Sequence, residues 1–495
     1  MFFLPNCLLY ILLLKICLYL WIRKKQCYWS KLGVPSDPTS LFYFGRGEHI
    51  AHYMQRIYRD FKKSGKRFVG LHLFFQPVAL LVDLDLIRNI FTTDFESFPD
   101  RGLYHNKHDD PLSGNILRFS GEPWRRLRTK LTPTFTSAKM RFMCGTICQV
   151  AERFSELTSE LAQHSAVLEV RDLCARFTTD TIGLVAFGIE CNSLREPNTE
   201  FRLMGDKVLR SLSPLLEDFA SKFPWLAKIL HLKVFSRQII EFYTNIITKN
   251  VEYREQHNIK RNDFLDILIE LKNTQVNGEF ALTLQEIIGQ SFVFFIAGFE
   301  TSSSTMSFCL FELSQNQDIQ QRAREEVMQC LESHDNQLSY ECLKDMKYLE
   351  QVISETLRKY PVVPLLSRLT RKNYLVPHSK QVIEKGVKVI IPVYALHRDP
   401  EIYSNPDQFD PERFNKAAVQ ARHPMAYVPF GAGPRVCIAE RFGRMQTMIG
   451  IAILLRSFHF SNSTETPNVL DLDFKSQRFY SVAGGIPLKV TPILF

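Results

Sequence analysis

The chain has 495 residues, 45% of them hydrophobic and 23% charged. These are ordinary globular proportions that exclude wholesale disorder. Its formal net charge is +9, yet no Lys/Arg run is long enough for a nucleic-acid-binding tail. The excess fits a solvated surface, an anionic membrane face or an acidic protein partner. The 11 cysteines include no C-x-x-C pair, which removes support for zinc-ribbon and thioredoxin-like sites, and an odd number suits a reducing compartment.

Phe2–Ile22 is almost wholly apolar, interrupted by Lys15, and about 20 such residues suffice for a helix to cross a bilayer. Arg23, Lys24 and Lys25 follow at once, so the positive-inside bias puts the rest of the chain in the cytoplasm. A cleaved signal peptide would show a positive start and a small-residue cleavage site, and neither is present. Residues 1–22 are therefore expected to be a retained transmembrane anchor. Residues 23–45, with Gly33-Val34-Pro35 and Pro38, are expected to form a linker, and 46–495 the globular body.

Within that body, Phe68–Val82 has the strand-rich composition of a hairpin broken near Gln76-Pro77. Amphipathic periodicity predicts helices over 136–162, 171–188, 235–256, 284–315 and 318–331, and over 340–360 with a stop before Pro361. Cys144 and Cys148, four apart on one helix face, read as core thiols before a metal pair. Val387–Val393 reads as a short strand. A Pro-rich irregular stretch covers 399–434, and a last helix is expected from about Cys437 to Ser457. The fold class is mainly α with a minor sheet; no alternating βα pattern supports a Rossmann-like core.

The strongest chemical signal is Phe430-Gly431-Ala432-Gly433-Pro434-Arg435-Val436-Cys437. Two glycines and a proline shape a tight loop, and the cysteine opens the expected helix, where the dipole favours a thiolate. Such a sulfur is a soft, electron-rich metal ligand, and Arg435 is suited to an anionic group. Read alone, the loop fits a glycine turn with a buried cysteine equally well. Elsewhere, Glu355 and Arg358 share a helix face. Ala297-Gly298 makes a small step in the long central helix. Thr301 has a hydroxyl able to relay a proton beside the acid Glu300, or merely to bond the carbonyl one turn back. Trp124 and Arg128 also lie four apart on one face.

Taken in order, the segments F-x-x-G-x-R-x-C (430–437), E-x-x-R (355–358), P-E-R-F (411–414), A-G-x-E-T (297–301) and W-x-x-x-R (124–128) resemble those of the cytochrome P450 family over essentially the whole chain. Phe98-Pro99-Asp100-Arg101-Gly102, Asp110–Asn115 and Pro133–Ser137 look like the insect microsomal branch related to vertebrate drug-metabolising members.

The resemblance implies a large multi-helical domain with a minor β-sheet region behind an N-terminal transmembrane helix. It implies haem b held through iron by Cys437, with Phe430, Arg435, Trp124, Arg128, Arg368, Ala297 and Gly298 around it. Arg101 is a lesser candidate there, equally readable as a surface cation. Thr301 and Glu300 are the implied catalytic pair, and Glu355, Arg358 and Arg413 a network steadying the loop.

The activity implied is insertion of one atom of O2 into a lipophilic molecule such as an insecticide, plant toxin, hormone or lipid. No nucleotide-binding glycine motif is present, so electrons from NADPH are expected through a membrane-bound NADPH–cytochrome P450 reductase, with cytochrome b5 optional. The implied location is the endoplasmic reticulum membrane, catalytic domain facing the cytoplasm. Arg125, Arg126 and Lys130 suit an acidic partner or simply a solvated helix. Two alternatives are a reductase-independent peroxide-rearranging enzyme, which the retained Glu300-Thr301 disfavours, and a non-catalytic haem sensor. Ala439 departs from the usual glycine two residues after the cysteine. Pocket walls are expected from 103–120, 295–305, 362–366 and a turn near Val482.

Overall fold

The computed structural model describes residues 13–493 except 14, 18, 21, 38–39, 41–46, 74–75, 212–213, 274–280, 474–475 and 477–478. The predicted anchor Phe2–Ile22 lies largely outside the described residues. Among those described, no helix is long and apolar enough to cross a membrane.

Helix α1 (Ile50–Lys62) precedes the hairpin β1 (Phe68–Leu73) and β2 (Gln76–Leu81), paired antiparallel from Phe68↔Leu81 to Leu73↔Gln76. Then come α2 (Gly121–Leu131), α3 (Ser137–His164), β3 (Val167–Glu169), α4 (Val170–Phe187), α5 (Glu200–Ser211), α6 (Pro214–Lys222), α7 (Arg237–Gln256) and α8 (Phe264–Asn273). The long α9 (Leu284–Gln315) is followed by α10 (Gln317–Glu332), α11 (Tyr340–Asp345) and α12 (Lys347–Lys359). Strands β4 (Leu366–Leu369) and β5 (Lys388–Ile391), helix α13 (Glu440–Ser457) and strands β6 (Phe458–Asn462) and β7 (Pro487–Pro492) complete the framework. The two larger sheets run β1-β2-β5-β4 and β3-β7-β6, with a small two-stranded pair of Tyr374–Leu375 and Val382–Ile383 besides, so the mainly helical expectation holds.

The 32 residues of α9 span about 48 Å. The helix starts on a capping box in which Thr283 Oγ1 accepts from the Glu286 N–H at 3.2 Å and Glu286 accepts from the Thr283 N–H at 3.0 Å. It packs along α4 and α13, so its middle is held from both sides. Gly298 lies at the α4 crossing: a Cβ there would meet Ile182 Cδ1 at 2.6 Å. The small residue thus also serves helix–helix approach.

The predicted helix over 340–360 is two helices. Met346 breaks the run at φ −75°, ψ 70°, and Glu326 of α10 accepts from the Tyr348 and Leu349 N–H groups at 2.7 and 2.8 Å, capping the second piece. This cap comes from a residue some twenty positions away, outside any local pattern. Residues 28–37, placed in the linker, pack against the sheet. Trp29 is fully buried and donates from Nε1 to the Leu71 carbonyl at 2.9 Å, while the Gly70 N–H donates to Pro35 O at 2.8 Å.

Candidate active site

The loop before α13 is shaped by contacts that only glycine allows. Gly433 has φ +70°, and a Cβ there would fall 1.8 Å from the Phe91 carbonyl oxygen. The Gly431 N–H donates to Val428 O, the Val436 N–H to Gly433 O and the Cys437 N–H to Phe430 O, each at 3.0 Å.

A buried polar chain carries the loop. Glu355 and Arg358 are both fully buried and form a two-pronged pair at 2.6 and 2.8 Å. Arg413 approaches Glu355 at 3.5 Å, and the Asp410 N–H donates to it at 2.9 Å. Arg358 donates onward to the His397 carbonyl at 2.9 Å, and the His397 ring accepts from the Val428 N–H at 3.0 Å, two residues before Phe430. His397 carries no sequence signal; its part emerges only in three dimensions.

Helix α13 begins at Glu440, three residues after Cys437, which corrects the expectation that the cysteine opens the helix. The N-cap position is Ala439, and its backbone N–H is directed at the Cys437 sulfur. Burial, with Glu440 adding to it, pushes the Cys437 thiol up; that N–H and the cations Arg101 and Arg128 pull part of the way back towards the thiolate. Cys437 lies deep in the molecule but is open to an interior cavity.

That cavity holds about 400 Å³, and its walls contain the ten residues expected around the haem and in catalysis: Trp124, Arg128, Ala297, Gly298, Glu300, Thr301, Arg368, Phe430, Arg435 and Cys437. Arg101 is there too, so the surface-cation reading of it is wrong. Its Nη2 donates to Arg435 O at 3.0 Å. Arg435 is buried, with its guanidinium 3.7 Å from the Trp124 ring centroid. It donates to Pro99 O at 2.8 Å, Phe119 O at 2.9 Å and Asp100 Oδ1 at 3.3 Å. Arg128 donates to Val436 O at 2.9 Å. Arg368 donates to Ser367 O at 2.9 Å and lies over the Phe91 ring, while its buried Nε has no partner among the described residues.

Burial and mutual repulsion lower these cations. Arg101 is pushed down to about 10 and Arg435 to about 9. Arg368 falls well below its ordinary value, with burial first and then Arg101 and Arg435 as the cause. Four arginines facing one wall with one carboxylate, Asp100, in contact make a site short of negative charge.

On α9, Thr301 Oγ1 donates to Ala297 O at 2.7 Å. Glu300 is buried, accepts from Ser304 Oγ at 3.3 Å and faces Arg171 at 3.5 Å. Burial raises its carboxyl, against the pull of Arg171. Beyond them the walls are aromatic: Phe135 stacks on Phe294 at 5.9 Å and Phe264 on Phe294 at 3.8 Å. Phe235, Phe264, Val208 and Leu209 line the cavity without having been expected. From the expected C-terminal segment near Val482 it is Phe479 that lines the cavity, while Val482 itself is buried outside the lining. Cys144 and Cys148 sit 4.0 Å apart as free thiols, and among the described residues no three His, Cys, Asp or Glu are placed to hold a metal ion.

A family model described as cytochrome P450 matches residues 35–478. The chain belongs to the cytochrome P450 family. It is 46% identical to cytochrome P450 6a2 of Drosophila melanogaster, covering 91% of this chain and 92% of that protein. It is 45% identical to cytochrome P450 6a8 of the same organism, covering 96% of each. Probable cytochrome P450 6a13, again from Drosophila melanogaster, is 44% identical over 96% of both chains. As a P450 it is a haem-thiolate monooxygenase that uses O2, lipophilic substrates and a redox partner. The residues present fit haem iron. One sulfur opens onto an apolar cavity, and beside it stand buried guanidiniums, with the Arg368 Nε unpaired, that lack the anions a haem's carboxylates would bring.

Proposed function

We propose that this P450 places one atom of O2 into a foreign lipophilic compound, of the insecticide or plant-toxin kind, or into an endogenous hormone or lipid. Its two electrons come from NADPH through a separate NADPH–cytochrome P450 reductase, with cytochrome b5 as an optional donor. The observation that carries this reading is Cys437, open to the same apolar cavity as Arg101, Arg128, Arg368 and Arg435. Cys437 would hold the iron of haem b, and the arginines, with Trp124 beneath Arg435, its two carboxylates. Ala297, Gly298 and Phe430 would bound its faces. When bound, the thiolate-ligated haem supplies the dioxygen activation that no side chain can.

The chain's own residues bind, orient and deliver protons. Thr301 Oγ1 donates to Ala297 O, which leaves its lone pairs to accept; turning from that carbonyl would free its one proton for relay into the cavity while the lone pair takes up the next. Glu300, kept high by burial, holds the next proton, and Arg171 links it towards the exterior.

The test is the spectrum of the reduced haem-loaded protein under carbon monoxide. Wild type is expected to give the strongly red-shifted Soret band of thiolate ligation. Cys437→His is expected to keep haem, give a globin-like band and form no product with reductase and NADPH. A histidine-type band in wild type overturns both the ligand assignment and the function built on it.

The same reading places the protein on the endoplasmic reticulum, with residues 1–22 as anchor, 23–45 as connection and 46–495 as the domain facing the cytoplasm. It is supported by the apolar run followed by Arg23–Lys25 and by exposed Phe223, Trp225, Ile229 and Leu230 beside Lys222 and Lys228. Release of the full-length chain by an alkaline wash would refute it.

A further inference from the structure

The apolar cavity contains a polar exception away from Cys437. Arg118 lies on its wall, almost fully buried. Its side-chain hydrogen bonds leave from Nη1: one to Tyr104 O at 2.9 Å, the other to the buried carboxylate of Glu217. Nε and Nη2 donate to nothing among the described residues.

The guanidinium carbon is 5.7 Å from the centroid of Phe235, whose ring meets Phe292 edge-on at 4.8 Å. Phe292 is nine residues before Thr301 on α9, about 13 Å along the helix axis. Arg118 therefore stands towards the end of the cavity remote from the oxygen-handling threonine.

We propose that Arg118 fixes the remote end of the substrate by donating to a neutral acceptor oxygen (carbonyl, ester, ether or phosphoryl) and that Glu217 makes it select such an oxygen over a carboxylate. This rests on the monooxygenase reading and deepens it by naming the substrate class. A buried unpaired cation would favour an anion, but Arg118 already has one in Glu217. A second carboxylate, Asp110, also faces it. Asp110 is fixed by the N–H groups of Val234 at 2.9 Å, Phe235 at 3.2 Å and Ser113 at 3.3 Å. An incoming carboxylate would share this pocket with two fixed negative charges and lose its water as well. A neutral oxygen keeps the charge-assisted hydrogen bond without that repulsion.

The pair also defines where the substrate is attacked. A molecule held at Arg118 presents to the Thr301 end whichever carbon lies one cavity length away, so acceptor position dictates regiochemistry.

The test is spectral titration of the haem-loaded protein with undecane, methyl undecanoate and undecanoate. Wild type is expected to bind the ester about tenfold tighter than the alkane, as one hydrogen bond to a charged donor allows, and the carboxylate more weakly than the ester. Arg118→Met removes the donors, and the ester-to-alkane ratio should fall to about one. Glu217→Gln keeps Arg118 but removes the competing charge, and the carboxylate should then bind about tenfold tighter than in wild type. If Arg118→Met does not fold, Glu217→Gln decides alone. Equal binding of ester and alkane by wild type, an ester preference that survives Arg118→Met, or no carboxylate gain in Glu217→Gln overturns the proposal. The monooxygenase reading is scored separately, by the carbon monoxide band and alkane turnover of wild type.

Discussion

The floor and roof of the cavity are built on opposite principles. Below, Cys437 sits on a loop tied through Val428, His397 and Arg358 to the fully buried Glu355, each link a directed hydrogen bond. Above, Phe235, Phe264, Phe292 and Phe294 make contacts that depend on shape and area. A directed network tolerates almost no substitution, because removing one member leaves another charged and unsatisfied. An apolar roof accepts exchanges of similar volume at small cost. Chemistry is thus fixed where the structure is least forgiving, and substrate choice lies where it can change.

That contrast breaks most sharply at Glu355. Glu355→Ala strands Arg358 in the interior and is expected to cost about 3–5 kcal/mol, read as a lower denaturation midpoint together with loss of the thiolate-type band. Acid should attack the same region. Burial lowers His397 from its ordinary 6.5 to about 3, so the folded state holds it neutral while the unfolded chain takes up a proton. Its stabilising contribution is complete above pH 6.5 and is lost progressively as pH falls towards 3. Urea midpoints measured across that window should decline more steeply for wild type than for His397→Asn.

Thr301→Ala belongs to neither floor nor roof. It is expected to keep haem and NADPH consumption while product formation falls on the order of 10²-fold, the lower range for a lost proton-transfer group. Unchanged product per NADPH would return Thr301 to its hydrogen bond with Ala297. At the crossing of α9 and α4, Gly298→Ala presses a methyl against Ile182 and should cost about 1–3 kcal/mol, read as a lower melting temperature with the carbon monoxide band retained. Arg126→Ala, at an exposed pair with Glu122, should stay within about 0.5 kcal/mol of wild type and serves as the baseline.

The same division explains what could be read from the sequence. The floor is made by short segments whose residue types are dictated by close contact. Gly433 must be glycine because Phe91 O fills the space of its Cβ. Cys437 and Arg435 stand beside it in the chain, so the loop shows in one stretch of eight residues. The long helix 284–315 was legible to the residue because Thr283 and Glu286 announce its start. What was missed depends on partners distant in sequence: the cap that Glu326 gives to Tyr348 and the His397 bridge; the lesser candidate Arg101 is settled only by its contact with Arg435. The roof residues Phe235 and Phe264 look like any core phenylalanine in a chain with 39 of them.

Trp29 carries a mechanical consequence. Its indole fills the space above Gly70, where even a methyl would collide at 2.2 Å, and Tyr28 beside it donates to Glu384 at 2.6 Å. Tension applied to the chain ahead of residue 28 is therefore delivered to the sheet and is not absorbed by a slack tether.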